Sequence, residues 1–288
     1  DPEKRKKLVV YINPPYAEAG SVSVDEKRKN KSSVATDNKI WLKYKDKVGL
    51  AIRELFAQFM LRISQEIPNC KLACFSKLKY LNGDGFNQFR TIFNPNYLNG
   101  FAVPANTFDN VTGTFPIGFL LWDFNIPNNN SNGFIELDIF DNLDNTKKGV
   151  KKVFIEENEK KITDWINSQG IKNQYNVIGY TGNNGPDFQN NNYCLISCIK
   201  KINKNGTSNN ATKYNITHNN LIAICIYFSV RHCIESSWLN DRDQFLYPND
   251  GWKTDTEFQN DCLTFALFHS QNRISSKEGT NHWIPFTE

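Results

Sequence analysis

Apolar residues recur along this chain in two rhythms, and the alternation between them predicts an α/β fold. Leu8-Val9-Val10-Tyr11-Ile12 is a short unbroken apolar run, as in a buried strand. Val48, Ile52, Leu55, Phe56, Phe59 and Ile63 then return at three- and four-residue spacing, which predicts one helix that Pro68 stops. Lys71 to Leu78 reads as a second strand, Gly83 and Gly85 mark a turn, and Phe86, Phe89, Ile92 and Phe93 make a short amphipathic helix. Asn99 to Val103 and Ile117 to Asp123 are two more strands, joined by a loop containing Phe115-Pro116. Strand, helix, strand, helix, strand, strand is a doubly wound order ending in an antiparallel pair.

The polar run Ile126-Pro127-Asn128-Asn129-Asn130-Ser131-Asn132-Gly133 has the composition of a linker, so the chain is expected to divide into residues 1–128 and 129–288. Beyond it the pattern is mixed α+β. Ile135, Leu137 and Ile139 alternate with Glu136 and Asp138 as in a half-buried strand, and Ile162, Trp165 and Ile166 stripe a helix between Glu156 and Ser168. Tyr175 to Tyr180 and Tyr193 to Ile202 read as strands about the turn Gly182-Asn183-Asn184-Gly185, while Asn220 to Trp238 and Phe258 to Ser270 favour helix. No internal repeat is present.

Composition narrows the class without naming an activity. The 288 residues are 39% hydrophobic and 22% charged, which suits a folded protein with a sizeable core. A net charge of +4 permits a polyanionic partner but does not demand one. Seven cysteines lack the even, dense spacing of a disulfide scaffold; Cys70/Cys74 and Cys194/Cys198 lie in apolar runs and read as small buried thiols rather than a zinc site. A reducing, cytoplasmic compartment is expected. The longest apolar stretch, Leu221 to Val230, is too short for a membrane span, so no membrane partner is expected. A chain that begins without Met and falls at once into a core strand reads as a piece of a larger protein.

The candidate chemistry sits at Asn13-Pro14-Pro15-Tyr16, where the first strand ends. Open α/β sheets bind ligands at the carboxyl ends of their strands. Each proline fixes φ and removes a donor, leaving carbonyls free to accept. Asn13 adds an amide oxygen and Tyr16 a flat face, a set that suits a planar heterocycle carrying an amino group. Pro-Pro-Tyr also serves as a peptide ligand for aromatic grooves, and Asn-Pro as a plain turn. The polar stretch from Glu18 to Lys39 beside it, with the basic residues Lys27, Arg28, Lys29 and Lys31, reads either as a functional lid that closes over a polyanion or as a mobile segment.

Residues 1 to 125 resemble the second half of the catalytic domain of N6-adenine-specific DNA methyltransferases, of the kind fused into type IIG restriction-modification enzymes. The likeness rests on Asn13 to Tyr16 closing a strand, then the helix, strand, short helix and hairpin in the order given above, with Phe115-Pro116 opening the last strand. It implies an α/β, partial S-adenosylmethionine-dependent methyltransferase sheet followed by a mixed region. It further implies that Asn13, Pro14, Pro15 and Tyr16 are catalytic. The Asn13 side-chain oxygen and the Pro14 carbonyl would accept bonds from the amino group of an adenine flipped out of the duplex, with Tyr16 and Phe115 stacking on its faces. Phe115 reads equally well as a core residue.

The cofactor half of such an enzyme, a strand with a glycine-rich turn and helix, has no counterpart in this sequence. Most of the S-adenosylmethionine site is therefore expected in an upstream segment or a partner chain, with this chain inactive alone. Residues 129–288 would then serve as accessory or target-recognition region. Gln271, Asn272 and Arg273, with Asn281-His282-Trp283 and Trp238 to Arg242, carry groups able to bond base edges or phosphates, and equally able to form a solvated surface. Double-stranded DNA is the expected partner; no metal site is expected. The rival classes are a non-catalytic DNA-binding or specificity module and a related methyltransferase acting on RNA or protein.

Overall fold

The structure is a computed structural model. It describes residues 2–16, 36–109, 115–128, 133–141, 146–155, 160–169, 175–182, 194–198, 212–241, 243–269, 272–276 and 279–281, with 111, 113 and 188 singly. The chain divides into two compact units, Asp1–Glu157 and Asn158–Glu288. Among the described residues, no helix is long and apolar enough to cross a membrane.

In the first unit a basic turn of helix, α1 (Pro2–Lys6), leads into β1 (Val9–Ile12). α2 (Lys39–Val48) starts where the Asn38 side-chain oxygen accepts the Trp41 backbone N–H at 2.9 Å. It stops at Gly49, whose φ of 57° favours glycine and where a Cβ would stand 2.5 Å from Gln88 Oε1. The single helix expected over Val48 to Ile63 is interrupted at that point. Val48 closes α2, Ile52 lies in a 3-10 turn, and α3 (Leu55–Glu66) carries Phe56, Met60 and Ile63 into the core while Phe59 stays exposed. Gln58 joins the pieces, accepting from Asn38 Nδ2 at 2.8 Å and donating to the Ile52 carbonyl at 2.7 Å.

β2 (Lys71–Lys77), α4 (Asn87–Ile92), β3 (Pro95–Pro104) and β4 (Pro116–Pro127) follow as the apolar pattern predicts, with the hairpin strands several residues longer than expected. β5 (Phe134–Phe140) and β6 (Lys147–Phe154) then join the same sheet. Its order is β1-β2-β4-β3-β5-β6. β1 runs parallel to β2, β4 lies antiparallel between β2 and β3, β5 is parallel to β3, and β6 is antiparallel to β5. This is a mixed α/β sheet containing the expected antiparallel pair.

Two expectations change. The run after Asn128 does not separate domains: the strands on both sides of it belong to one sheet, and the division falls at Glu157/Asn158. The winding is also one-sided among the described elements. Leu72, Cys74, Leu120 and Trp122 are buried on the helical side, where Tyr80 and Phe93 meet Trp122 edge-on at 6.2 and 5.7 Å. Alternation sends Tyr11, Phe75, Phe119 and Phe101 to the opposite face, where they form a half-covered aromatic row.

The second unit is mixed α+β. α5 (Ile162–Asn167), β7 (Gly179–Gly182), β8 (Leu195–Ser197), β9 (Thr212–Ile216), α6 (Leu221–His232), α7 (Thr256–Phe268), β10 (Asn272–Ser276) and β11 (Gly279–Asn281) follow in turn. The sheet order is β11-β10-β8-β7-β9. Trp165, Tyr214, Tyr227 and Phe228 fill its core with Ile162 and Ile166, the predicted stripe of α5. Arg231, fully buried at the end of α6, lies 5.0 Å from the centre of the Phe245 ring. Cys70, Cys74 and Cys194 are buried thiols as read from their apolar runs, whereas Cys198 is exposed.

Candidate functional site

The strand-end corner is built by what proline cannot do. β1 keeps ladder register with β2 as far as Ile12 opposite Cys74, and Asn13 is followed by Pro14 and Pro15, neither of which has an N–H to carry the strand on. The chain leaves the sheet there, at the carboxyl end of two parallel strands. Pro14 is buried, Asn13 and Pro15 are exposed, and Tyr16 is half-buried. The turn brings the first and last side chains of the tetrapeptide together: the Tyr16 hydroxyl donates to Asn13 Oδ1 at 2.6 Å. Burial, then the nearby Cys74 and Tyr11, hold the Tyr16 phenol well above its ordinary pKa, so it keeps its proton at any physiological pH. Burial alone pushes the Cys74 thiol up to about 12, which leaves it unionised and unreactive beside the corner.

Tyr16 and Phe115 pack on the same small buried group, Val103, Ala105 and Ile117. The resemblance pairs these two aromatics across a ligand, and the structure brings both to one patch. It adds a third. Phe108 meets the Tyr16 ring edge-on at 6.4 Å and the Phe75 ring at 5.4 Å, so it is Phe108 that buttresses the tyrosine. The only sequence cue for it is an aromatic in the hairpin loop, seven positions before Phe115.

Lys77, at the carboxyl end of β2, has no sequence signal that marks it. Its Nζ lies 5.8 Å from the centre of the Phe115 ring and 3.6 Å from Glu54 Oε2. Lys79 donates to the other oxygen of the same carboxylate. Glu54 is 2% exposed, so one buried anion holds two lysines at the rim of the aromatic patch.

The remaining candidates are not brought to this corner. Lys27, Arg28, Lys29, Lys31 and Gln271 lie outside the described residues, as does most of the expected lid from Glu18 to Lys39. Asn272 and Arg273 start β10, parallel to β8, in the second unit; their side chains lie outside the description. Asn240 serves its own loop. Its oxygen accepts the Ser237 N–H at 2.8 Å and its amide donates to the Glu235 carbonyl at 3.1 Å. A cavity of about 330 Å³ between α2 and α3, lined by Asn38, Leu55, Phe59 and Arg62, and one of about 290 Å³ in the second unit, lined by Ile178, Ile196, Cys198 and Cys225, involve no residue of the corner.

No protein-family model matches the chain, and no curated protein matches it in sequence.

Proposed function

We propose that this chain supplies the base-binding half of an adenine-specific DNA methyltransferase. In this reading the chain captures an adenine flipped from duplex DNA and presents its amino nitrogen for methylation. What carries it is the position of Asn13: an exposed residue at the carboxyl end of a parallel strand pair, its side-chain oxygen held by a phenol beside a phenylalanine cluster. The expected antiparallel pair, β3 with β4, lies in the same sheet beside β2, and the sheet continues past it through β5 and β6.

The chain's own chemistry is positioning. Asn13 Oδ1 and the Pro14 carbonyl accept the two amino protons, which keeps electron density on the nitrogen and aims its lone pair outward. These bonds strengthen as the nitrogen becomes positive, so they act more on the transition state than on the ground state. Tyr16, held by Phe108, and Phe115 offer faces for the base.

S-adenosylmethionine, the methyl donor this reading requires, fits the chain only in part. Among the described residues no strand runs into a glycine-rich turn and a helix N-terminus, the usual cradle of a nucleotide. The adenosyl contacts then belong to a complementary segment. β1 is a suitable junction: it is an edge that pairs with β2 alone among the described strands, and Val9 and Tyr11 are 53% and 67% exposed.

The test is Asn13→Ala in the complete enzyme, read as methyl incorporation into adenine of duplex DNA. Loss of one preorganised acceptor of this kind costs on the order of 10²–10³-fold in turnover. DNA binding should stay within a few fold. Unchanged turnover in the variant would remove the corner from the chemistry.

A further inference from the structure

We propose that Tyr16 fixes the polarity of Asn13: its hydroxyl turns the amide so that oxygen, not nitrogen, faces the ligand, and the corner thereby selects an exocyclic amino group over an oxo group. The inference rests on the base-binding reading above and names what that site discriminates.

An asparagine amide is nearly symmetric in shape, and its two orientations present opposite chemistry, two acceptor lone pairs or two donor protons. Asn13 is exposed, so packing does little to choose between them. The choice falls to its partner, and that partner is the Tyr16 O–H at 2.6 Å. A hydroxyl can in principle accept as well as donate. Here the phenolic proton has the Asn13 oxygen as its acceptor and makes no second hydrogen bond among the described residues. Turning the amide over would offer the phenol an N–H, and the phenolic proton would lose its acceptor in a half-buried position, at a cost typical of an unsatisfied donor. The orientation with oxygen toward the phenol is therefore the stable one.

An sp² oxygen has two lone pairs. One takes the Tyr16 proton; the second remains for a ligand on the exposed side. An amino group meets that lone pair with a proton. An oxo group meets it with another lone pair, and the site rejects it by repulsion rather than by size. The two prolines make the arrangement rigid: with φ fixed at both central positions, the three-residue separation of Asn13 and Tyr16 leaves their side chains little freedom to part. Raised above its ordinary range by burial, the phenol stays a donor wherever the protein is folded.

This gives the hydroxyl a role separate from the ring. Stacking needs only the flat face, and Phe would supply it. Polarity needs the O–H, and Phe removes it.

The experiment uses the 288-residue chain with 9-methyladenine and 9-methylhypoxanthine as probes, which differ in carrying an amino or an oxo group at the same ring position. Binding is followed by NMR titration, together with the Asn13 side-chain amide resonances. The wild-type chain should prefer 9-methyladenine by about tenfold, the effect of one well-made hydrogen bond against one repulsive contact. Tyr16→Phe should keep its thermal stability and bind both probes within about twofold of each other, and its Asn13 amide protons should lose the shift that marks a fixed orientation. Tyr16→Leu should weaken both probes together. If wild type and Tyr16→Phe share the same preference for adenine, the polarity proposal is overturned and the base-binding reading stands. Tighter adenine binding by Tyr16→Phe overturns it too, since the hydroxyl would then compete with the ligand for the oxygen. If the wild-type chain binds neither probe, or both alike, the proposal and the base-binding reading fall together.

Discussion

Four consecutive residues carry most of the candidate site, and their roles differ because their surroundings differ. Asn13 presents an oxygen because Tyr16 holds it; Pro14 is buried and anchors the turn; Pro15 is exposed and fixes φ before Tyr16. The tetrapeptide was legible in the sequence because each residue type there has few structural uses. Phe108 was not, because this chain has 21 phenylalanines and nothing local distinguishes a buttress from a core residue. The Tyr16–Asn13 bond was equally hidden, since it depends on side-chain rotation rather than on residue type. Phe108→Ala should destabilise the first unit by about 1–3 kcal/mol through the loss of two edge-to-face contacts. It should also loosen Tyr16, so chemical denaturation and probe binding are both affected. A Phe108→Ala chain with wild-type stability and binding would mean the ring only covers the cluster.

At the scale of elements, apolar spacing located every strand and helix of residues 1–125 except α1 and α2, and it failed where one residue overrode the pattern. Gly49 breaks a helical stripe that continues on both sides of it, because the path needs a positive φ and the stripe does not record φ. Glu54 lies just beyond that break, on the buried side between Lys77 and Lys79. A lone carboxylate cannot be left in such a place, nor can two lysines face each other without it. Glu54→Gln should cost on the order of 3–5 kcal/mol in the first unit, measured by urea denaturation. A loss below about 1 kcal/mol, the range of exposed pairs, would mean water screens the cluster.

The two edges of the first sheet contrast. β6 carries Lys147, Lys148, Lys151 and Lys152, of which Lys147 reaches Asp138 at 2.7 Å and Lys152 reaches Glu136 at 3.7 Å, a charged edge that resists pairing. β1 carries no charged residue within Val9–Ile12 and pairs with β2 alone among the described strands. Tyr11→Lys should therefore raise the solubility of the chain alone while weakening capture of its complementary segment. Light scattering and pull-down of that segment read the two effects. A variant that aggregates as the wild type does would place the sticky surface elsewhere, with the aromatic row of Phe75, Phe101 and Phe119 next in line.

For the whole molecule, the polar run at residues 126–133 misled because composition marks a loop without saying what the loop joins. Ile135, Leu137 and Ile139 are buried in the first unit, and the boundary at Glu157/Asn158 falls in the charged run Glu156 to Lys161, which the apolar stripe behind it made read as the start of a helix. Each unit has its own aromatic core, so two thermal transitions are expected, and one of them should respond to acid. In the second unit His269, at the end of α7, packs against Phe228 and Phe265 and stands 4.5 Å, ring centre to ring centre, from His232 of α6. Burial first, then the His232 charge, lower its pKa to about 4. The unfolded chain takes up that proton near pH 6.5, before the folded unit does. The stabilisation is thus complete above about 6.5 and is lost as the pH falls from there toward 4. Scanning calorimetry at pH 7.5 and pH 5 should show the transition of the second unit moving down in temperature while that of the first holds nearly still. His269→Leu should flatten the shift, because the variant has no proton to take up and an apolar side chain suits the ring-lined site. Equal movement of both transitions, or a His269→Leu protein as acid-sensitive as the wild type, would assign the pH dependence to other groups.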